Sequence, residues 1–125
     1  MKQSIEVHNQ FIGFHAWATC PFPEVAFLKD RHRHVFHVYV TAGVAHADRA
    51  LEFFMLQRDI RSALEQLYNS LKVNVPGNEY ELGNRSCETV CLELYEILKT
   101  GFKYNTIKQI KVSEDNESFG IVDFD

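Results

Sequence analysis

The stretch HRHVFHVYVT (residues 32–41) decides the fold of this chain. It is rich in β-branched and aromatic residues, and such a run predicts a β-strand. Successive side chains of a strand point to opposite faces, so His32 and His34 share one face. Arg33 and His37 lie on the other. The strand therefore presents two imidazoles side by side at its beginning.

A lone histidine, His15, closes an earlier strand. Val7 and Phe11 share its parity, which predicts a strand over residues 4–16 with His15 on the apolar face. If this strand lies next to the first, His15 comes opposite the paired imidazoles. The pattern thus predicts that three histidines converge at one end of a sheet.

Three imidazoles are the ligand set of a catalytic zinc, which keeps its fourth position open. A carboxylate or a backbone carbonyl is then expected behind each ring to orient it. The spacing alone leaves a second interpretation open, because paired histidines also occur at polar strand edges. The remaining three histidines are predicted to lie at the surface: His8, His37 and His46.

The rest of the chain carries a helical pattern followed by further strands. The predicted order is β-β-α-α-β-β, which indicates an α+β domain with a four-stranded antiparallel sheet. A loop is predicted from Cys20 to about Asp30, a helix over Leu51–Leu71, a polar loop through Pro76-Gly77-Asn78 to Arg85, a second helix from its N-cap Ser86 to Gly101, and strands over Ile107–Glu114 and Phe119–Phe124 with a turn between them.

Composition is that of a single globular domain spanning residues 1–125. Of its residues 46% are hydrophobic and 24% charged, and the formal net charge is −4. The acidic balance argues against a nucleic-acid-binding surface. No apolar run is long enough for a membrane span, and the first residues do not form a signal peptide. We therefore expect a cytoplasmic protein that binds neither membrane nor nucleic acid.

The three cysteines are Cys20, Cys87 and Cys91, which are too few and odd in number for a disulfide framework. Cys87 and Cys91 are four residues apart, on one face of the second predicted helix. They are predicted to be small buried hydrophobic residues.

Five short motifs follow one another along the chain. They are Phe11–His15, His32–Val40, Glu52-Phe53, Ser86-Cys87-Glu88, and Val112–Asn116 with its strand-end Glu114. In this order they resemble the family of 6-pyruvoyltetrahydropterin synthase and 6-carboxytetrahydropterin synthase, which has the tunnelling fold. The resemblance covers most of the chain, although each motif is loose by itself.

The resemblance implies two helices on one face of the sheet, with sheets joined into an oligomeric barrel, usually trimers stacked into hexamers. It also implies that His15, His32 and His34 bind Zn²⁺. Glu114 is then expected to hold the N–H edge of a pterin, with Glu88 alongside, because a carboxylate accepts two parallel N–H bonds. In the family this pocket lies between subunits, so Glu114 and the metal are expected to meet across an interface.

The chain departs from the family where that family transfers protons. Leu28 stands where the family has its nucleophilic cysteine, and the family's Asp-His pair is missing near Tyr68–Leu71. Arg33 and Val35 replace a glycine and an asparagine of the paired-histidine motif. Elimination and tautomerisation need a positioned base. Cys20, in a proline-bounded loop, is the remaining candidate for a catalytic thiol.

Three functions stay open. The chain is a zinc protein that binds or sequesters a pterin-, purine- or nucleotide-like molecule, or an active zinc-dependent lyase acting on dihydroneopterin triphosphate or a relative. In a third alternative the metal only staples two strands, and a fourth protein ligand would favour it. The basic cluster of Lys29, Arg31 and Arg33 is either a phosphate-binding group or a solvated face.

Overall fold

A computed structural model describes residues 1–68 and 79–124 of the chain. Within these residues lie five strands, two α-helices and a short 3-10 helix. The strands are β1 (Gln3–His15), β2 (His32–Val44), β3 (Glu79–Gly83), β4 (Ile107–Ser113) and β5 (Gly120–Asp123). The helices are the 3-10 helix Pro23–Lys29, α1 (Phe53–Tyr68) and α2 (Cys87–Thr100).

The sheet is mixed and has five strands in the order β3-β1-β2-β4-β5. The predicted α+β class is correct, but the predicted four-stranded antiparallel sheet is wrong, because β3 lies between the two helices and pairs in parallel with β1. This strand is short and buries only Tyr80 and Leu82. Its glutamates Glu79 and Glu81 give it the composition of the polar loop that was predicted there.

Both α-helices pack against one face of the sheet, as the resemblance implied. Alternate strand residues are buried beneath them, while the residues between are more exposed. Contacts of α1 with β1 and of α2 with β4 close this core. The core includes the strand residues Val7, Phe11, Phe36, Val38, Val40, Ile110 and Val112 and the helix residues Leu56, Ile60, Leu64, Val90, Leu94 and Leu98.

The register of β1 against β2 sets the end of this apolar face. Phe11 pairs with Phe36, Gly13 with His34, and His15 with His32. The histidines therefore continue the face that the core residues occupy. Gly13 makes room for this arrangement, because a Cβ atom there would lie 2.7 Å from Cε2 of Phe36.

Several local predictions can be compared with the described residues. The segment after Cys20 is not an open loop, because residues Pro23–Lys29 form a 3-10 helix with proline at its start. Ser86 caps α2 as predicted, since the Thr89 amide donates to its Oγ at 3.1 Å. The final part of the first predicted helix and the Pro76-Gly77-Asn78 loop lie outside the described residues.

Within the described ranges, neither α-helix is long and apolar enough to cross a membrane.

Candidate metal centre

Three histidine side chains converge where β1 ends and β2 begins. The ring centroids of His15 and His32 are 4.4 Å apart, those of His32 and His34 are 4.9 Å apart, and those of His15 and His34 are 5.6 Å apart. Glu114, which directly follows β4, joins them. Each of the four residues offers one donor atom, and these atoms lie within 4.8 Å of one another. The cluster has the donor types and spacing of a metal site.

Backbone carbonyls orient two of the rings from behind. Nδ1 of His32 lies 2.7 Å from the carbonyl oxygen of Asp30, and Nδ1 of His15 lies 3.2 Å from that of Arg85. A carbonyl only accepts, so both Nδ1 atoms carry the proton of the bond. The neutral rings then present the lone pair of Nε2 to the cluster, as metal ligands do.

Two buried nitrogens in the cluster lack a hydrogen-bond partner among the described residues. They are Nε2 of His32 and Nε2 of His15. A buried polar atom without a partner is unfavourable by about 1–3 kcal/mol. Nε2 of His15 lies 2.9 Å from Oε1 of Glu114 without the alignment of a hydrogen bond. A bare lone pair facing a carboxylate oxygen needs a cation between them, either a proton or a metal ion.

The charges of the cluster respond to one another. The contact with His15 lowers the pKa of Glu114, which keeps its carboxylate ionised. Burial acts to lower the pKa of His15, but Glu114 and the carbonyl of Arg85 raise it on balance. Burial lowers the pKa of His34, whose Nε2 lies 3.4 Å from Oε2 of Glu114. The site therefore combines one ionised carboxylate with three imidazoles.

The expectation that Glu114 meets the histidines across an interface is wrong, since the contact is made within one chain. The pairing of β2 with β4 explains it. His37 pairs with Ser113, so the residue after Ser113 reaches the part of β2 that carries His34. The expectation came from the resemblance and not from strand register.

A cavity of about 500 Å³ adjoins the cluster. His15, His32 and Glu114 form one part of its wall, and Glu88, at the beginning of α2, belongs to the wall as well. The remainder is Ala16, Trp17, Leu28, Asn84, Arg85, Ser86, Cys87, Asp115, Ser118, Phe119 and Gly120. Both carboxylates that the resemblance assigned to ligand binding thus face one cavity.

Cys20 lies away from this cavity. It is buried, and its thiol donates to the carbonyls of Phe22 and Val25 within its own segment. The thiol in the cavity wall belongs to Cys87, which was predicted to be a buried structural residue. Burial and the nearby carboxylates, Glu114 first among them, raise the pKa of Cys87 to about 12.

The basic cluster lies outside the cavity as well. The Arg31 guanidinium donates to Oε2 of Glu81 at 2.9 and 2.7 Å and covers the ring of Phe14 at 4.0 Å. Nε of Arg33 lies 4.0 Å from Oε1 of Glu79. Lys29 ends the 3-10 helix. Strand alternation turns Arg33 away from the face that carries the histidines.

Sequence reasoning missed several residues of the cavity wall. Trp17 follows directly on β1 and His15, and Cys87 is the central residue of a motif that was quoted for its glutamate. Both could have been inferred from these neighbours. Arg85 and Phe119 had no such signal, because their place depends on how the loops before α2 and β5 turn.

No protein-family model matches the chain, and no curated protein matches its sequence. Solved structures do match. An uncharacterized protein from Wolinella succinogenes aligns with a TM-score of 0.66 and 11% identity, over 100% of this chain and 99% of that one. The 6-pyruvoyl tetrahydropterin synthase of Caenorhabditis elegans aligns with a TM-score of 0.65 and 10% identity, over 100% and 97%. A catalytic-residue mutant of the Plasmodium vivax 6-pyruvoyltetrahydropterin synthase aligns with a TM-score of 0.63 and 17% identity, over 98% of this chain and 97% of that one.

Proposed function

We propose that this chain, whose fold is that of the 6-pyruvoyl tetrahydropterin synthases, is a zinc protein that captures a pterin- or purine-like heterocycle without carrying out synthase chemistry. The observation that carries the proposal is one juxtaposition. Three histidines and Glu114 bring their donor atoms within 4.8 Å of one another at the wall of a cavity of about 500 Å³. A cavity of this volume suits a small heterocycle.

His15, His32 and His34 would hold the metal through Nε2. Imidazole is a good ligand for zinc, and three imidazoles leave a coordination position for another group. The residues fit a cation because Nε2 of His32 is buried without a hydrogen-bond partner and Nε2 of His15 faces a carboxylate oxygen of Glu114 at 2.9 Å. When bound, zinc polarises a carbonyl or hydroxyl oxygen next to it.

Glu114 and Glu88 would bind the heterocycle. Pterins and guanine-like bases present a ring N–H beside an amino group, and a carboxylate accepts both as parallel, charge-assisted bonds. Glu114 is suited to this because its pKa is lowered and it therefore stays ionised. Glu88 lies in the wall of the same cavity and can accept from a second group of the ligand.

The surroundings of the cavity support binding over catalysis. Leu28 lies in the wall where the resemblance would put a nucleophilic thiol, and a leucine moves no proton. The Cys87 thiol lines the wall, and burial and the nearby carboxylates raise its pKa to about 12, which favours the protonated thiol over the nucleophilic thiolate. Part of the segment expected to carry an Asp-His pair lies outside the described residues, and its sequence, Tyr68–Leu71, contains neither residue type.

One observation favours the third function, in which the metal is a staple. Glu114 is a fourth donor from the protein, and four protein ligands are typical of structural zinc sites. A staple would need Glu114 for the metal, whereas a heterocycle site would need it for the ligand. Removal of Glu114 should therefore weaken zinc binding if the metal is structural, and should leave zinc bound if the site holds a heterocycle.

We also propose that the chain self-associates, as trimers stacked into hexamers. β3 and β5 are the edges of the sheet, and an open sheet edge offers unpaired backbone groups to another chain. Pairing edges between copies would close them. The two edge strands support self-association, and the similarity of the fold to the 6-pyruvoyl tetrahydropterin synthases supports the arrangement as stacked trimers.

The test is to incubate zinc-loaded protein with dihydroneopterin and with dihydroneopterin triphosphate, and to analyse the solution and the protein-bound fraction by mass spectrometry. His34→Ala serves as the control. We expect unchanged heterocycle in the bound fraction of the native chain and less in the variant. A new product that the variant does not form would mean that the chain is an active lyase.

A further inference from the structure

We infer that Glu93 on α2 is a positioning residue for the metal centre, because it fixes Arg85, whose backbone carbonyl orients the ring of His15. The inference rests on the metal site of the proposed function and adds a residue of α2 to it. It follows from a chain of hydrogen bonds that joins both helices to the end of β1.

The turn between β3 and α2 holds the end of β1 by two bonds. The carbonyl of Arg85 accepts from Nδ1 of His15 at 3.2 Å, and the carbonyl of Gly83 accepts from the amide of Ala16 at 2.9 Å. The first bond orients the imidazole and the second fixes the backbone beside it. The position of this turn therefore decides where Nε2 of His15 points.

The side chain of Arg85 helps to close that turn. Its Nη1 donates to the carbonyl of Leu82 at 3.2 Å, and the same carbonyl accepts from the backbone amide of Arg85 at 3.2 Å. Gly83 lies between them with a φ of +62°, a left-handed conformation that glycine adopts without strain. The place of the guanidinium thus affects the carbonyl that orients His15.

Glu93 fixes the guanidinium. Nε of Arg85 donates to Oε1 of Glu93 at 2.7 Å, and a hydrogen bond between two ionised groups is short and strong. The same oxygen accepts from the hydroxyl of Tyr68, the buried residue at the end of α1, at 3.1 Å. One carboxylate oxygen therefore joins the end of α1 to the turn before α2.

Tyr68 holds this carboxylate from the other side. Burial and the Glu93 carboxylate raise the pKa of Tyr68, so its hydroxyl keeps the proton that it donates. The guanidinium carbon of Arg85 lies 5.5 Å from the centre of the Tyr68 ring. The chain of contacts runs from Tyr68 through Glu93 and Arg85 to His15. Groups that orient a metal ligand typically change metal affinity by about 10- to 100-fold.

The experiment compares two glutamates of the same helix. Glu93→Gln keeps the shape of the side chain but removes its charge, and Glu96→Gln makes the same change at an exposed position one turn further along α2. Competition with a chelator of known affinity gives the zinc dissociation constant of each. We expect Glu93→Gln to bind zinc about tenfold more weakly than the native chain, and Glu96→Gln to match the native chain.

Arg85→Lys is the second variant. It keeps the backbone carbonyl that accepts from His15, but a lysine lacks the Nε donor and the fork of the guanidinium. A loss of zinc affinity in this variant therefore comes from the place of the carbonyl and not from its removal. We expect the affinity to fall, as it does in Glu93→Gln. Either variant suffices for the test if the other fails to fold.

Cobalt in place of zinc separates positioning from general stability. The visible absorption of protein-bound Co²⁺ depends on the arrangement of its ligands. We expect an altered spectrum in Glu93→Gln and Arg85→Lys and the native spectrum in Glu96→Gln. A network that only ties the helices together would lower the urea concentration at which Glu93→Gln unfolds, but would leave the spectrum and the zinc affinity of the folded chain unchanged.

The two proposals fail in different ways. Native zinc affinity and a native cobalt spectrum in the folded variants at Glu93 and Arg85 overturn this inference and leave the metal site standing. If the native chain binds neither zinc nor cobalt, both the inference and the proposed function are wrong.

Discussion

Glu114 is the residue on which the chemistry of the site depends. Its oxygens lie 2.9 and 3.4 Å from the Nε2 atoms of His15 and His34, so it reaches two of the atoms that would bind a metal. It also lies in the wall of the cavity, where it can reach a ligand. A side chain in this place either closes the coordination of the metal or holds the heterocycle beside it.

Replacing Glu114 by glutamine distinguishes these roles. We expect Glu114→Gln to retain about one zinc per chain, because three histidines suffice to hold it. Heterocycle binding should weaken by about tenfold or more, since the amide cannot accept two N–H bonds with the strength of a carboxylate. Elemental analysis measures the first quantity and equilibrium dialysis the second. Loss of zinc from this variant, but not from Glu117→Gln, would mean that Glu114 is a metal ligand and that the metal has a structural role.

The element that brings the histidines together is the β1–β2 pair. Its register sets His15 opposite His32 and leaves Gly13 opposite His34. The ring of Phe36 occupies the space above Gly13 and packs edge-on to His15, with the centroids 5.2 Å apart. A side chain at position 13 would therefore move the ring that supports the site.

Gly13→Ala tests this packing. Its Cβ would lie 2.7 Å from Cε2 of Phe36 and 3.0 Å from Cδ1 of Leu82, so we expect a loss of about 1–3 kcal/mol in the free energy of unfolding. Gly43→Ala is the matched control in β2, because its Cβ would meet only the movable end of Lys108 at 3.3 Å and a carbonyl at ordinary contact distance. Urea unfolding compares the two. Equal stability of both variants would contradict the tight packing around Gly13.

Sequence patterns identified these elements unequally. The alternation of residues 32–41 and the parity of His15 were sufficient to predict β1, β2 and their shared face, because burial on one side enforces a period of two. β3 could not be found in this way. It is five residues long, and its pairing with β1 joins segments that are far apart in the chain.

At the scale of the whole molecule, the described part of the sheet ends in two edge strands, and the described helices leave one of its faces uncovered. β3 and β5 form the edges, and Val35 and His37 lie on the uncovered face. Exposed edges tend to pair with other chains. We therefore expect light scattering at micromolar concentration to give a mass several times that of the 14.5 kDa chain, with six copies as the expected number. A monomer would contradict the proposed assembly.

The site, too, was only partly predictable at this scale. The three histidines could be inferred because they lie on two strands whose pairing the pattern implied. The cavity could not, since its wall comes from the end of β1, the beginning of α2 and the turn after β4. The place of Cys20 depended on how its loop turns, which no periodicity in the sequence describes.

The central claim is that His15, His32 and His34 form a zinc site, and the zinc content of three proteins tests it most directly. Native chain, His32→Ala and His37→Ala are stripped with chelator, reloaded with zinc, desalted and analysed for metal. His37 is the matched control, because it belongs to the same strand but lies on the opposite face. There its Nδ1 lies 3.0 Å from Nε2 of His8.

We predict about one zinc per chain in the native protein and in His37→Ala. His32→Ala should bind zinc about 100-fold more weakly or worse, because loss of a ligand costs at least as much as loss of a group that orients one. A native chain that holds no zinc, or equal zinc in His32→Ala and the native chain, would contradict the account.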